Sequence, residues 1–292
     1  GSGRCAICPD AGAARAMRQF VTRIHTKHPV LIDTCGTGGD RKGTFNVSTV
    51  SAFVVAGAGV AVAKHGNRSV SSACGSADLM EAFGVAIDVT PAVIERCLDE
   101  IGIAFLFAPK LHPAMAHVQP VRRQLKRRTI FNILGPLINP AFPTCQLIGL
   151  YEEALVPVIA SALSALGMKH AMVACGEGGL DEVTTTGKTL VAEVKDGHVR
   201  EMILEPEKFD LPRADIRDIL GESVETNKRI AMNVLKGMEG PERDVVLLNA
   251  GCALYVADRC HTIKEGIALA QESLDSGAAI KKLNKLIECT QR

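Results

Sequence analysis

Short apolar runs alternate along this chain with longer segments whose apolar residues recur every three to four positions, a pattern of strands alternating with helices. Val30-Leu31-Ile32 reads as the end of a buried strand, and a glycine-rich turn follows it into a helix over Ser48 to Ala56. Gly59 to Ala63 reads as the next buried strand. Ala77 to Phe83 is a predicted helix with Ser76 as its cap, and Thr90-Pro91 opens another that runs to about Gly102. Phe105 to Ala108 is a short strand, after which residues 109–129 are richer in charge and proline and are expected to leave the sheet. Thr144 to Leu150, Tyr151 to Leu166 and Ala171 to Cys175 repeat the strand-helix-strand order. Leu190 to Val194 and Val199 to Leu204 flank Asp196-Gly197 and predict a hairpin. A helix over Ala13 to Ile24 leads into the first strand, and three helical segments are expected from Val224 onward. The fold class is therefore α/β, with a mostly parallel central sheet and flanking helices.

The turn after the first strand, from Asp33 to Thr49, holds four glycines at 36, 38, 39 and 43 and hydroxyls at Thr44, Ser48 and Thr49. Glycine lets the backbone approach a ligand closely, and a helix N-terminus presents N–H groups to an anion. Asn46 and Ser48 are candidates to cap that helix. The turn suits a phosphate or diphosphate. It is not the dinucleotide fingerprint, which needs glycine where Arg41 stands. Gly187-Lys188-Thr189 resembles the end of a P-loop, but Glu182 stands where that loop needs glycine. The turn after the second strand runs Lys64-His65-Gly66-Asn67-Arg68-Ser69-Val70-Ser71-Ser72. In a parallel βαβ unit both turns reach the same sheet edge, so two polar, anion-seeking loops should lie side by side.

Composition narrows the chemistry. Hydrophobic residues make up 47% of the 292, enough for a large core, and the net charge of +1 makes anion binding a local property. No apolar run is long enough to span a membrane. Most of the ten cysteines sit in apolar segments, which suits reduced thiols and a cytoplasmic location. Cys5 and Cys8 form a CxxC pair without a second pair, and Cys260-His261 is isolated, so neither receives a role. Asp181-Glu182 follows a buried strand and a glycine-rich approach, which should bring both acids to the edge that carries the anion loops. Paired carboxylates there favour Mg²⁺, which commonly shares its shell between carboxylates and substrate phosphates.

Gly36-Thr37-Gly38-Gly39-Asp40, Asn46-Val47-Ser48-Thr49, Lys64 to Ser72, Gly75-Ser76-Ala77-Asp78 and Leu180-Asp181-Glu182 together resemble the anthranilate phosphoribosyltransferases. His112-Pro113-Ala114-Met115 and the run from Arg128 to Leu137 extend the resemblance, which covers roughly residues 11 to 292 in order. It implies a fold like that of the nucleoside phosphorylases, with a small helical domain beside a large α/β domain. Here residues 1–32 are the expected remnant of the small domain, joined by part of 109–129, and residues 33–292 form the large domain. The implied reaction is a pentosyl transfer from phosphoribosyl diphosphate (PRPP) to the amine of anthranilate, in tryptophan biosynthesis. By the same resemblance PRPP would rest on Gly36, Gly39, Asp40, Thr44, Asn46, Val47, Ser48 and Thr49. Lys64, His65, Gly66, Asn67, Arg68, Ser69, Val70, Ser71, Ser72 and Ser76 would complete its site. Ser48, Asp181 and Glu182 would hold Mg²⁺. Anthranilate would lie near Gly36, His65, Asn67 and His112, with Arg122 on its carboxylate. Arg122 alone would be drawn from a basic run, Arg122 to Arg128, that otherwise reads as a solvated helix face. The family is homodimeric, and the short segment before the first loop predicts weaker self-association here. Neither nucleic acid nor membrane is an expected partner.

Two other functions compete. A nucleoside phosphorylase of the same fold would use free phosphate and would not need the acidic pair. A non-enzymatic, nucleic-acid-binding relative would need a strongly basic surface, which a net charge of +1 does not favour.

Overall fold

The computed structural model describes residues 9–69, 73–114 and 133–291. Seven strands form one sheet among these residues: β1 (Leu31–Gly36), β2 (Ala61–Gly66), β3 (Ile103–Phe107), β4 (Cys145–Gly149), β5 (His170–Gly176), β6 (Thr189–Lys195) and β7 (His198–Leu204). Their order is β3-β2-β1-β4-β5-β6-β7. The first five pair in parallel, and β6 and β7 add an antiparallel edge. Asp196 and Gly197 both take positive φ, 48° and 83°, as a two-residue hairpin turn of this hand requires.

Side chains alternate across the sheet, and so does the core. In β5, Met172 and Ala174 join the larger apolar cluster, while Ala171, Val173 and Cys175 join the smaller one. The larger cluster includes helix α2 (Val47–Gly57), α3 (Ser76–Phe83), α4 (Pro91–Ile101) and the C-terminal helices. The smaller one is built on α1 (Pro9–Arg18), the short helix α5 (Ala108–Leu111) lying outside it, and on α6 (Val156–Ala165).

Three local expectations change. The first helix ends at Arg18 rather than Ile24, because Thr22 N donates to Leu111 O and Ile24 N to Pro140 O. Those N–H groups serve tertiary bonds that a helix would have claimed. Four helices, not three, close the chain: α7 (Val224–Leu235), α8 (Pro241–Val256), α9 (Ile263–Asp275) and α10 (Ala278–Thr290). The additional break falls at Gly277, whose φ of 69° ends one helix and starts the next. The N-cap of α3 is Gly75, and Ser76 is the first helical residue.

Candidate functional site

The strand order reverses at β1, which has β2 on one side and β4 on the other. In open parallel sheets ligands bind outside the carboxyl ends of the strands at such a point. The loop that leaves β1 is the glycine-rich turn. Gly38, Gly39 and Gly43 take φ of 68°, 80° and 71°, and Arg41 sits between them at 58°. That left-handed run coils the backbone in place. A side chain on Gly36 would meet the Asp181 carboxyl group, with its Cγ at 2.9 Å, so the loop closes against the acids only without one.

The acids fold back onto this loop. Asp181 Oδ2 accepts from Gly38 N at 2.6 Å, and Glu182 Oε1 accepts from Ser48 N at 3.2 Å. Glu182 therefore caps α2 from a distant loop, where a negative charge is favoured. Asn46 holds the N-cap position, yet its side chain makes no capping bond to its own helix. Its amide donates instead to Cys74 O at 3.0 Å and to Asn227 Oδ1 at 3.1 Å. The Ser48 N–H expected to await an anion is thus held by a carboxylate in this state.

Burial, then the nearby Asp40, pushes the Asp181 carboxyl up to about 7. Burial, then Asp181, raises Glu182 well above the usual carboxylate range. Asp40 Oδ2 is buried without a hydrogen-bond partner. Lys64, also buried, donates to Thr34 O at 2.7 Å and Ser48 Oγ at 3.3 Å. Burial lowers its pKa against the opposing pull of Asp33 and Glu182. The immediate surroundings hold more acids than bases, a balance that a divalent cation would correct. Among the described residues no three His, Cys, Asp or Glu side chains are grouped to hold an ion unaided. Asp181, Glu182 and the Ser48 hydroxyl offer the hard oxygens that Mg²⁺ prefers, with substrate phosphate left to complete the shell.

His65 and His112 form a second feature. Their Nε2 atoms are 2.9 Å apart, so one ring donates and the other accepts. Burial, then His112, lowers His65 to about 3, and burial lowers His112 to about 4. Both rings are neutral near pH 7 and meet a ligand as an uncharged wall.

Other expected site residues are placed less directly. Asn67 N donates to Ser76 Oγ at 3.2 Å, and Ser69 N donates to Asp78 Oδ2 at 3.1 Å. Arg68 turns away from the β1 loop to Asp78 and Glu81, at 3.1 and 2.5 Å. Thr44 bridges to Leu220. Val70, Ser71, Ser72 and Arg122 lie outside the described residues, as do Cys5 and Cys8.

Sequence reasoning passed over several polar residues that organise the site. Asp33, fully buried, accepts from His65 N at 3.2 Å and from Asn139 Nδ2 at 2.9 Å, with Gln146 Nε2 at 3.5 Å. Burial raises its carboxyl to about 6. The signal was an acid directly after an apolar strand, Leu31-Ile32. Asn139 and Asn227 carried no local signal, since the partners that tie them to the site, Asp33 and Asn46, are far away in sequence.

The chain matches the family model described as "Glycosyl transferase family, a/b domain" over residues 28–280. It is 52% identical over 286 residues to the anthranilate phosphoribosyltransferase of Symbiobacterium thermophilum, covering 98% of this chain and 84% of that protein. Its counterpart from Moorella thermoacetica is 51% identical, covering 94% and 81%. Among solved structures, anthranilate phosphoribosyltransferase (TrpD) from Thermus thermophilus superposes with a TM-score of 0.92 at 43% identity, covering 97% of this chain and 84% of that one. The Saccharomyces cerevisiae enzyme in complex with PRPP and Mg gives 0.89 at 32% identity, covering 97% and 79%.

Proposed function

This chain belongs to the anthranilate phosphoribosyltransferases, and from that membership we propose how its own residues carry out the transfer. The enzyme moves the phosphoribosyl group of PRPP onto the amine of anthranilate and releases diphosphate, a step of tryptophan biosynthesis. The β1 loop, through Gly36, Gly39, Asp40, Thr44 and Asn46 to Thr49, cradles the diphosphate. Lys64, the 65–72 loop and Ser76 enclose the remaining phosphoribosyl oxygens. Ser48, Asp181 and Glu182 would hold Mg²⁺, which when bound would neutralise charge on the departing diphosphate. In this reading residues 1–32 and part of 109–129 supply the small domain, and 33–292 the large one.

The observation that carries this reading is the contact of both acids with the β1 loop, at Gly38 N and Ser48 N. It brings cation ligands and anion donors within one hydrogen bond of each other. With substrate bound, phosphate oxygens would accept from the N–H groups that the carboxylates now occupy, and Asp181 and Glu182 would be free to hold Mg²⁺. One fixed charge about 4 Å from the leaving group contributes roughly 4 kcal/mol at an effective dielectric near 20. Stabilising that leaving group therefore dominates the rate. The amine is a neutral nucleophile, so its orientation by Asn67 and the histidine wall matters more than a strong base. Because His65 and His112 are neutral, the anthranilate carboxylate needs a separate cation, and Arg122 fills that role.

The same reading makes the partners small molecules, with no nucleic acid or membrane, in the cytoplasm. No helix of the described residues is long and apolar enough to cross a membrane. Diphosphate release with PRPP, Mg²⁺ and anthranilate tests the proposal. Release that needs all three supports it. Turnover of a nucleoside with free phosphate, and none with anthranilate, would overturn it.

A further inference from the structure

The diphosphate loop is held from outside by a strap that runs from Ile219 into the first turn of α7. Phe45 N donates to Ile219 O at 3.0 Å, Gly221 N donates to Gly43 O at 2.7 Å, and Thr44 bridges to Leu220. The strap therefore pairs with the loop as a short antiparallel ladder. It ends at Asn227, whose side chain is 2% exposed.

Asn227 uses every position of its amide. Its Oδ1 accepts from Asn46 N at 2.9 Å and from Asn46 Nδ2 at 3.1 Å. Its Nδ2 donates to Gly221 O at 2.6 Å and to Ser223 O at 2.9 Å. Two bonds face the loop and two face the strap. Asn46 in turn reaches Cys74 O, just before α3. A buried amide with all four bonds made has no freedom to rotate, and losing it takes the partner from Asn46 N and Gly221 O, while Asn46 Nδ2 keeps Cys74 O and Ser223 O keeps Asn227 N. Close packing adds to the constraint. A Cβ on Gly221 would lie 2.6 Å from Asn227 Nδ2 and 2.7 Å from Phe45 Cα.

We propose that Asn227 is a positioning residue for PRPP, acting through Asn46 to hold the entry of α2 and the β1 loop in their binding geometry. This rests on the reading that PRPP occupies that loop. Asn227 does not touch the substrate. Its effect is confined to the diphosphate side, because the His65–His112 wall hangs on Asp33 and β3 and not on the strap.

The test measures diphosphate release while PRPP and anthranilate are varied separately, with thermal melting on every protein. Misplacing binding groups by a fraction of an ångström to one ångström costs up to about 100-fold, so Asn227→Ala should raise the PRPP KM about 10- to 100-fold and leave the anthranilate KM within about twofold. Gly221→Ala should shift the PRPP KM in the same direction by pushing the strap off Phe45. Ser223→Ala is the structural control. It removes the bond from Thr226 N that caps α7, at 3.1 Å, without touching the loop, and should lower stability while sparing both KM values. If Asn227→Ala does not fold, Gly221→Ala decides alone. A wild-type PRPP KM in every folded strap variant, or an equal rise for both substrates, overturns the role of the strap. Absence of PRPP turnover in the wild type would instead overturn the function on which it rests.

Discussion

Strand β5 carries a buried polar cluster at each end, and the two are opposites. At its start His170 lies between two carboxylates, with Nε2 2.9 Å from Glu193 Oε1 and Nδ1 3.3 Å from Asp258 Oδ1. Tyr255 OH adds a bond to Glu193 Oε1 at 2.7 Å. The His170 bond holds Glu193 below the usual carboxylate range despite its burial. Beyond the other end, Asp181 and Glu182 accept from backbone N–H groups and have no basic side chain donating to them among the described residues, and burial with neighbouring acids pushes them up, Asp181 to about 7. The first cluster satisfies its own acids with side-chain donors and so contributes stability. The second gathers acids around one buried lysine, which costs stability and suits a cation with a diphosphate. Burial alone does not tell a structural acid from a functional one; the source of its donors does.

Exchanging the charge at each end should separate the two. Asp181→Asn with Glu182→Gln should reduce magnesium-dependent turnover by about 10³-fold or more. Melting should stay level or rise, because the amides still accept from Gly38 and Ser48 while a desolvation cost disappears. Full rate with unchanged magnesium dependence would remove these acids from the site. A smaller effect tests the proposed anchor of the anthranilate carboxylate. A hydrogen bond to a charged group contributes roughly 1.5 to 3 kcal/mol, so Arg122→Ala should raise the anthranilate KM about 10- to 100-fold. The PRPP KM should hardly move, and Arg127→Ala should change neither. Equal losses for both substrates would return Arg122 to a solvated role.

Glu193→Gln probes the structural end. It should cost about 1 to 3 kcal/mol in urea unfolding and leave both KM values within about twofold. A large kinetic effect would dissolve the contrast between the ends. The last effect is one of pH, and it accumulates one unit at a time. His112 titrates at about 4 in the folded chain, against the ordinary histidine value of 6.5 once unfolded. On acidification the unfolded chain therefore binds its proton first, and His112 costs stability as pH falls through that window. His112→Gln removes this cost, so the variant should gain about 1.4 kcal/mol per pH unit relative to wild type from pH ~6.5 to ~4. Parallel unfolding curves at pH 6.5, 5.5 and 4.5 would show a charged His112 instead.

Much of this was legible locally. The alternation of apolar runs predicted the parallel sheet, because a strand buried on both faces has few other compositions available, and Asp196-Gly197 predicted its hairpin edge. Gly36 to Gly43, Lys64 to Arg68 and Asp181-Glu182 each declared their chemistry by residue type and by position after a strand. What no local pattern contained was the pairing between them. Asp33 looked like the first residue of a loop, yet it is a buried hub for His65 and Asn139. Asn46 looked like a helix cap, yet its amide is committed to Cys74 and Asn227. Arg68 stands against Asp78 and Glu81, partners that its own loop did not announce.

By itself, then, the sequence determined the architecture, the edge of the sheet that carries chemistry, and the kinds of groups gathered there. These follow from periodicity and from backbone requirements, which act over a few residues. Only the tertiary structure decided which donor meets which acceptor: Glu182 on Ser48, Asp33 on His65, Asn227 on Asn46. Those bonds join positions from 32 to 181 residues apart, and their worth depends on burial that the whole fold creates. A polar side chain cannot signal in sequence which distant partner will satisfy it, because that choice is made by the packing that removes it from water.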